Sequence, residues 1–106
     1  MSSVIKYDKL VRDGIIEIIQ RAGKEASYRT VSGDEYIQYL TAKLQEEVDE
    51  FKEEEEIEEL ADIIEVVENL ALSRGYTMED LIRIKDKKAE CRGGFNKGIV
   101  LEEVRG

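Results

Sequence analysis

Hydrophobic residues in the middle of the chain recur at the spacing of an amphipathic α-helix. Between residues 35 and 52 they fall on one helical face, as Ile37, Leu40, Leu44, Val48 and Phe51. Because residues three and four positions apart share a side of a helix, this spacing predicts a helix with one apolar stripe. A capping-box pattern, with Ser32 as N-cap and Glu35 at the third helical position, predicts where this helix begins.

Three further helices are predicted around this one. The first covers residues 9 to 21, is interrupted near Gly14 and ends at Gly23, and the third covers about residues 56 to 74. The fourth begins at a second capping pattern at Thr77 and covers about residues 78 to 91. The third helix is apolar most of the way round, and three other helices offer little to cover it. We therefore expect a homo-oligomer, most simply a homodimer.

The segments outside the helices are short. Residues 4 to 8, 26 to 31 and 99 to 101 favour extended structure. At 106 residues the chain fits one domain, covering residues 1 to 106. The predicted fold is all-α and four-helix bundle-like, with an antiparallel hairpin of the second and third helices and short extended segments at the termini.

Paired carboxylates lie on both helices of the predicted hairpin. Glu47 and Glu50 are three residues apart on the second helix, and Glu59 and Asp62 repeat that spacing on the third. In an antiparallel hairpin the two pairs face one another, where they repel and lose solvation unless a cation lies between them. The other interpretation is a solvated acidic face, because 25 of the 106 residues are Asp or Glu. The acidic run from 53 to 56 is expected to be turn and helix start only.

The absence of histidine narrows the chemistry that such a site supports. Zinc sites, Ser/His/Asp triads and the Glu-x-x-His ligands of di-iron bundles need an imidazole or several thiolates. Carboxylates alone suit a hard cation such as Mg²⁺, Mn²⁺ or Ca²⁺. No EF-hand loop pattern is present, which argues against Ca²⁺.

Charge and cysteine content bound the location and the partners. The net charge of −9 argues against nucleic acid as a partner, since phosphate neutralisation needs basic patches. Cys91 is the single cysteine and cannot form an internal disulfide, which suits a reducing cytoplasm. Charged residues interrupt residues 1 to 20, and no apolar run approaches the length of a membrane span. We expect a cytoplasmic protein that is not embedded in a membrane.

Three motifs in order along the chain carry a family resemblance. They are E-E-x-x-E at Glu46, Glu47 and Glu50 with the following E-x-x-D, Y-D-K-L-V-R-D at residues 7 to 13, and R-G-G-F at 92 to 95 with L-E-E-V at 101 to 104. Together they resemble the all-α nucleotide pyrophosphohydrolases, a superfamily that includes MazG, the dimeric dUTPases and phosphoribosyl-ATP pyrophosphohydrolase. The motifs at residues 7 to 13, 92 to 95 and 101 to 104 resemble a small single-domain branch labelled phosphoribosyl-ATP pyrophosphohydrolase-like. A Lys and a Pro of that branch are replaced here by Gly14 and Ile16, so the first helix is expected to begin differently.

The resemblance implies a MazG-type fold and a role for each motif. It assigns Glu47, Glu50, Glu59 and Asp62 as Mg²⁺ ligands and Glu46 as the base or water-orienting group. It further suggests substrate contacts, with Lys85, Lys88 and Arg92 meeting phosphates, Phe95 lying against a base, and Asn69 contacting substrate. From the residues alone, Asn69 is equally a polar residue of the helix surface, and Phe95 is equally a core anchor after a glycine turn.

The implied activity is Mg²⁺-dependent hydrolysis of a nucleoside triphosphate to the monophosphate and pyrophosphate, with house-cleaning of non-canonical nucleotides as the family role. Two other functions remain open. One is a non-catalytic acidic helical module for dimerisation or for docking a basic partner. The other is hydrolysis of a non-nucleotide pyrophosphate by the same metal chemistry.

Overall fold

Four α-helices make up the ordered framework of the protein. The computed structural model describes residues 3 to 106, and α1 covers Ile15–Arg21, α2 Gly33–Glu54, α3 Ile57–Ser73 and α4 Met78–Arg92. No β-strand occurs in this described range. The prediction of an all-α, bundle-like fold is confirmed.

The long helices α2 and α3 form the hairpin that was predicted from the sequence. All five residues of the apolar stripe on α2 are at least half-buried, and Leu40 is only 2% exposed. The connection consists of Glu55 and Glu56, of which Glu55 adopts left-handed backbone with φ of 53°. A left-handed residue ends a helix sharply and turns the chain back. The acidic run from 53 to 56 is therefore turn and helix start only in its second half, and the prediction is wrong for Glu53 and Glu54, which are the last two residues of α2.

The segment before α1 departs from the prediction. The first helix was expected from residue 9, but it begins at Ile15, with Gly14 as its N-cap. Gly14 carries a low helix propensity, and the amide of Ile15 closes a turn onto the carbonyl of Arg12 at 3.0 Å. Residues 7 to 12 are thus left as irregular chain, and Asp8 in this stretch has a φ of 43°.

The two predicted caps have different outcomes. At α4 the capping box is present, since the Thr77 hydroxyl accepts from the Asp80 amide and the Asp80 carboxylate accepts from the Thr77 amide. At α2, Ser32 is the N-cap as predicted, but its side chain makes no capping hydrogen bond. Glu35 instead accepts two hydrogen bonds from the guanidinium of Arg29, at 3.1 and 3.0 Å. A charged two-bond pair is stronger than a neutral capping bond, which explains the choice.

The extended segments do not pair with one another. Residues 26 to 31 were expected to favour a strand, yet they form irregular chain, as do residues 99 to 101. Strand propensity reflects packing within a sheet, and a short extended segment without a partner strand gains nothing from it. Residues 93 to 104 are exposed throughout.

The core of one chain is small. Within residues 3 to 106, Leu40 and Val66 are the buried hydrophobic residues, and the radius of gyration is 18.6 Å. A compact domain of this length has a radius of about 13 Å. On α3, Ile57 is 71% exposed and Ile64 is 53% exposed, so part of the apolar surface of this helix lies uncovered. No helix in the described range is both long enough and apolar enough to cross a membrane.

Candidate metal centre

Three carboxylates of α2 converge on one side of that helix. Glu46, Glu47 and Glu50 each offer an oxygen within 4.8 Å of the others, and we call these three the carboxylate cluster. Residues 46, 47 and 50 share this side because a helix advances 100° per residue. Glu46 and Glu50 are half-buried, whereas Glu47 is buried.

Glu47 is the residue that distinguishes this cluster from a solvated acidic face. It is only 5% exposed, and its Oε1 forms an ion pair with Lys43 Nζ at 3.2 Å. Its Oε2 is buried and has no hydrogen-bond partner among the described residues. Leaving a buried carboxylate oxygen without a partner is costly, so native proteins pair such atoms with a donor or a metal. The donor set of clustered carboxylate oxygens fits a hard divalent cation.

The α3 carboxylates lie beside the cluster and are not part of it. Glu59 and Asp62 are both half-buried, and the Glu59 Oε2 is another buried oxygen without a partner. The pKa of Glu59 is raised, first by a hydrogen bond with Glu54 and also by the charge of Glu50. Asp62 Oδ1 accepts from the Arg12 guanidinium at 2.7 Å. The ligand roles of these two residues remain predictions.

Three basic residues surround these carboxylates, and sequence reasoning did not place them there. Lys9 Nζ lies 2.7 Å from Glu46 Oε1, and Lys43 Nζ lies 3.4 Å from Glu46 Oε2. Arg12 pairs with Asp62, as described above. Lys43 precedes Glu46 and Glu47 by three and four positions, a spacing that predicts helical ion pairs. Nothing in the periodicity places Lys9 and Arg12, because they lie in irregular chain that reaches the site only by tertiary contact.

The charges around the cluster shift the pKa values of two of its carboxyl groups in opposite directions. The hydrogen bond from Lys9 lowers the pKa of Glu46, so this carboxylate is ionised near neutral pH. Glu50 experiences the opposite effect, because the neighbouring charge of Glu47 raises its pKa. A pair of carboxyl groups whose pKa values are driven in opposite directions is typical of functional sites.

The raised pKa of Glu50 predicts a pH-dependent gain from Glu50→Gln. A carboxyl group with a raised folded-state pKa holds its proton longer in the native state, so stability falls as pH rises above the ordinary Glu value of about 4.3. Without divalent cations, we expect Glu50→Gln to melt at a higher temperature than the wild type at pH 7. The difference should shrink at pH 4, as measured by thermal denaturation. A difference that is independent of pH contradicts this prediction, and exposed Asp49→Asn serves as the control.

The predicted substrate-binding residues lie elsewhere in the structure. Asn69 on α3 accepts a hydrogen bond from Tyr36 at 3.4 Å and donates to the carbonyl and carboxylate of Glu65 at 2.9 and 3.0 Å. Seven residues of helix separate it from Asp62, about 10 Å along the axis. It is thus neither a free surface amide nor a neighbour of the carboxylate cluster, and its substrate contact remains a prediction.

The basic residues of α4 and the aromatic residue beyond it are exposed. Lys85 pairs with adjacent Asp86 at 2.9 Å, and Lys88 and Arg92 make no ion pair with the carboxylates in the described range. Phe95 is 99% exposed, so the interpretation of Phe95 as a core anchor is wrong. The phosphate and base contacts expected of these residues remain predictions. Cys91 is also exposed on α4.

A cleft of about 360 Å³ opens directly beside Glu46. It lies between α2 and the irregular segment before α1, and Lys9, Lys43 and Glu46 belong both to its lining and to the ion pairs of the site. Its other walls combine apolar, aromatic and polar side chains, among them Leu10, Ala42, Tyr39 and Gln38. The cleft and the carboxylate cluster therefore meet at Glu46.

Comparison with known proteins leaves the family of this chain open. No family model matches the chain, and no solved structure matches it. One similar protein is an uncharacterized protein of Mycolicibacterium smegmatis (strain ATCC 700084 / mc(2)155), which is 50% identical over 44 residues. The match covers 42% of this chain and 45% of that relative. The chain therefore matches less than half the length of that relative.

Proposed function

We propose that this protein is a Mg²⁺-dependent nucleoside triphosphate pyrophosphohydrolase of MazG-like type. The observation that carries the proposal is Glu47, a nearly fully buried carboxylate that belongs to a cluster of three carboxylates and has one oxygen without a hydrogen-bond partner in the described range. Neither acidic composition nor helix solubility accounts for an acidic side chain in that position. A site for a hard cation does.

The ligands in this proposal come from both helices of the hairpin. Glu47 and Glu50 of α2, together with Glu59 and Asp62 of α3, hold Mg²⁺, with Mn²⁺ as the substitute. When bound, the ion supplies charge neutralisation for a triphosphate and acidifies a bound water. The buried oxygens Glu47 Oε2 and Glu59 Oε2 suit this role, because neither is paired with a basic side chain or a backbone amide in the described range.

Glu46 orients the attacking water in this proposal. Its lowered pKa keeps it ionised, so it accepts a hydrogen bond from water but is a weak base. The water oxygen forms a bond to the α-phosphorus, and the bond from that phosphorus to the α,β-bridging oxygen breaks. Pyrophosphate leaves with the electron pair of that bond, and the water proton passes to solvent or to a leaving-group oxygen.

The exposed apolar surface favours a homodimer or a higher homo-oligomer as the working form. Ile57 and Ile64 lie seven positions apart on α3 and share a face, and both are more than half exposed. Large exposed apolar patches mark protein contacts, and the buried hydrophobic core of one chain in the described range consists of Leu40 and Val66. We place this oligomer in the cytoplasm, as expected from the lone cysteine.

The same apolar surface is the observation that favours the second candidate, an acidic helical interaction module without catalysis. The two candidates differ in what they require of the buried Glu47. An interaction module has no use for a buried oxygen without a partner, whereas a metal site depends on it. Hydrolysis of a non-nucleotide pyrophosphate shares the metal centre and differs only in substrate.

Pyrophosphate release from a panel of canonical and modified nucleoside triphosphates tests the proposal. With Mg²⁺ or Mn²⁺ we expect turnover of at least one nucleotide, and a melting temperature that rises with metal concentration. At a metal concentration of 100 times Kd the stabilisation is about 2.7 kcal/mol. If the protein shows neither turnover nor a metal-dependent shift in melting temperature, the interaction module is the better account of its function. Turnover of non-nucleotide pyrophosphates alone would identify the third alternative.

A further inference from the structure

We propose that the cleft beside Glu46 binds the nucleoside of the substrate, and that Lys9 at its mouth binds the phosphate chain. The inference rests on the proposed function, because it gives the triphosphate a direction relative to the carboxylate cluster. The phosphates lie at the cluster, and the base and sugar extend along α2 into the cleft.

Position is the first argument for this direction. Glu46 belongs both to the carboxylate cluster and to the cleft wall, so no intervening structure separates the two. A nucleotide whose phosphates contact the cluster must place its nucleoside in an adjoining space. In the described part of the chain, this cleft of about 360 Å³ adjoins the cluster directly, and its size falls within the range of small-molecule sites.

The chemistry of the walls is the second argument. Leu10, Ala42 and the ring of Tyr39 offer apolar and aromatic surface, which suits the flat faces of a base. The amide of Gln38 offers both a donor and an acceptor, the pair of functions that a base edge or a ribose requires. Binding sites for small molecules combine apolar walls with a few placed polar groups in this way.

The charge at the mouth is the third argument. Lys9 is held 2.7 Å from Glu46, and its side chain is 40% exposed, so the ammonium group remains accessible from the cleft. The preceding residue, Asp8, has left-handed backbone and accepts a hydrogen bond from the Tyr39 hydroxyl at 2.8 Å. Left-handed backbone is uncommon outside glycine, and residues held in it cluster at binding sites. This contact joins the irregular segment to α2 next to Lys9, and the ion pair with Glu46 places the Lys9 ammonium group at the cleft wall.

Two substitutions test the nucleoside contact in the cleft and the phosphate contact of Lys9 independently. Ala42→Phe fills the cleft from its α2 wall, and Lys9→Met removes the charge at the mouth while keeping an apolar stem. The ligands are the α,β-methylene analogue of the preferred nucleoside triphosphate, which is not cleaved at that bond, and inorganic tripolyphosphate, which has no nucleoside. Both are titrated calorimetrically in Mg²⁺, and KM and kcat are measured with the hydrolysable nucleotide.

We expect Ala42→Phe to weaken the nucleotide analogue at least about 10-fold and to change tripolyphosphate affinity by less than about two-fold. We expect Lys9→Met to weaken both ligands by a similar factor, with Lys9→Arg restoring most of the loss, since each contact contributes about a factor of ten. Thr41→Phe adds the same ring on an exposed position of α2 outside the cleft, and Arg21→Met removes an exposed charge at the end of α1. Both controls should bind as the wild type does.

Each alternative result has a distinct meaning. If Ala42→Phe binds both ligands normally, the nucleoside lies elsewhere and the inference is wrong while the proposed function stands. If Lys9→Met only lowers the melting temperature and leaves both affinities unchanged, Lys9 is a tether for the segment. If Ala42→Phe does not fold, Gln38→Ala replaces it and should weaken the nucleotide selectively. If the wild type binds neither ligand and shows no Mg²⁺ effect, the proposed function itself fails.

Discussion

Glu47→Gln is expected to abolish Mg²⁺-dependent pyrophosphate release and leave the helical fold intact. The substitution keeps the shape of a side chain that is only 5% exposed, and removes the charge and one acceptor oxygen. Groups that merely orient a metal ligand contribute about 10–100-fold to affinity or activity, so loss of a ligand should cost about 100-fold or more in turnover. The stabilisation of the protein by Mg²⁺ should disappear together with activity. Steady-state pyrophosphate release and thermal denaturation over a Mg²⁺ titration measure the two effects.

The matched control for this substitution is Asp49→Asn. It makes the same chemical change two residues along α2, at an exposed side chain that accepts a hydrogen bond from Gln45 at 3.0 Å. It should retain wild-type turnover and the full Mg²⁺-dependent rise in melting temperature. Undiminished turnover by Glu47→Gln would contradict the metal assignment. Equal losses of turnover and of Mg²⁺-dependent stabilisation in both variants would indicate that any metal effect comes from the overall negative charge of the surface.

The second large effect is expected at the exposed apolar face of α3. Ile64 is 53% exposed in one chain and lies on the same face as Ile57, so Ile64→Glu puts a carboxylate at the centre of the proposed contact between copies. Burial of an isoleucine contributes about 1.5–3 kcal/mol, and burial of an unpaired charge opposes association further. We expect the dissociation constant of the oligomer to rise at least about 100-fold, which corresponds to about 2.7 kcal/mol. Sedimentation velocity over a concentration series measures it.

Lys52→Glu is the control for this change. It also adds negative charge to a long helix of the hairpin, but at an exposed polar position. It should leave the oligomer unchanged and alter stability only slightly. A wild type that sediments as a monomer at all concentrations would contradict the homo-oligomer, as would an Ile64→Glu variant with unchanged association. Loss of helical structure in Ile64→Glu at low concentration would agree with a fold that depends on its partner copy.

The hairpin and the positions of its carboxylates could be predicted from the sequence because both depend on residues close together in the chain. The apolar stripe from Ile37 to Phe51 sets the face of α2, and the three-residue spacing of Glu47 and Glu50 then sets where those side chains point. The burial of Glu47 was anticipated only in outline, since periodicity places it at the border of the stripe. The depth of burial depends on α3, which packs against that border.

The segment before α1 shows why the rest of the site could not be predicted from the sequence. Pattern alone extended the first helix back to residue 9, because hydrophobic residues there continue a helical spacing. The structure instead uses Lys9 and Arg12 for ion pairs with Glu46 and Asp62, and those contacts join residues far apart in the chain. Periodicity carries no information on such tertiary pairs. The motif around Lys9 served as a family marker without indicating what its charges contact.

The two-residue turn at Glu55 and Glu56 has a consequence for the order of folding. Because α2 and α3 are neighbours in sequence, closing their hairpin costs little chain entropy and should occur early. The carboxylates therefore approach one another before the distant segment with Lys9 and Arg12 can dock. We expect hairpin formation to be slowed by the mutual repulsion of these side chains. Added divalent cations or high salt should then accelerate refolding.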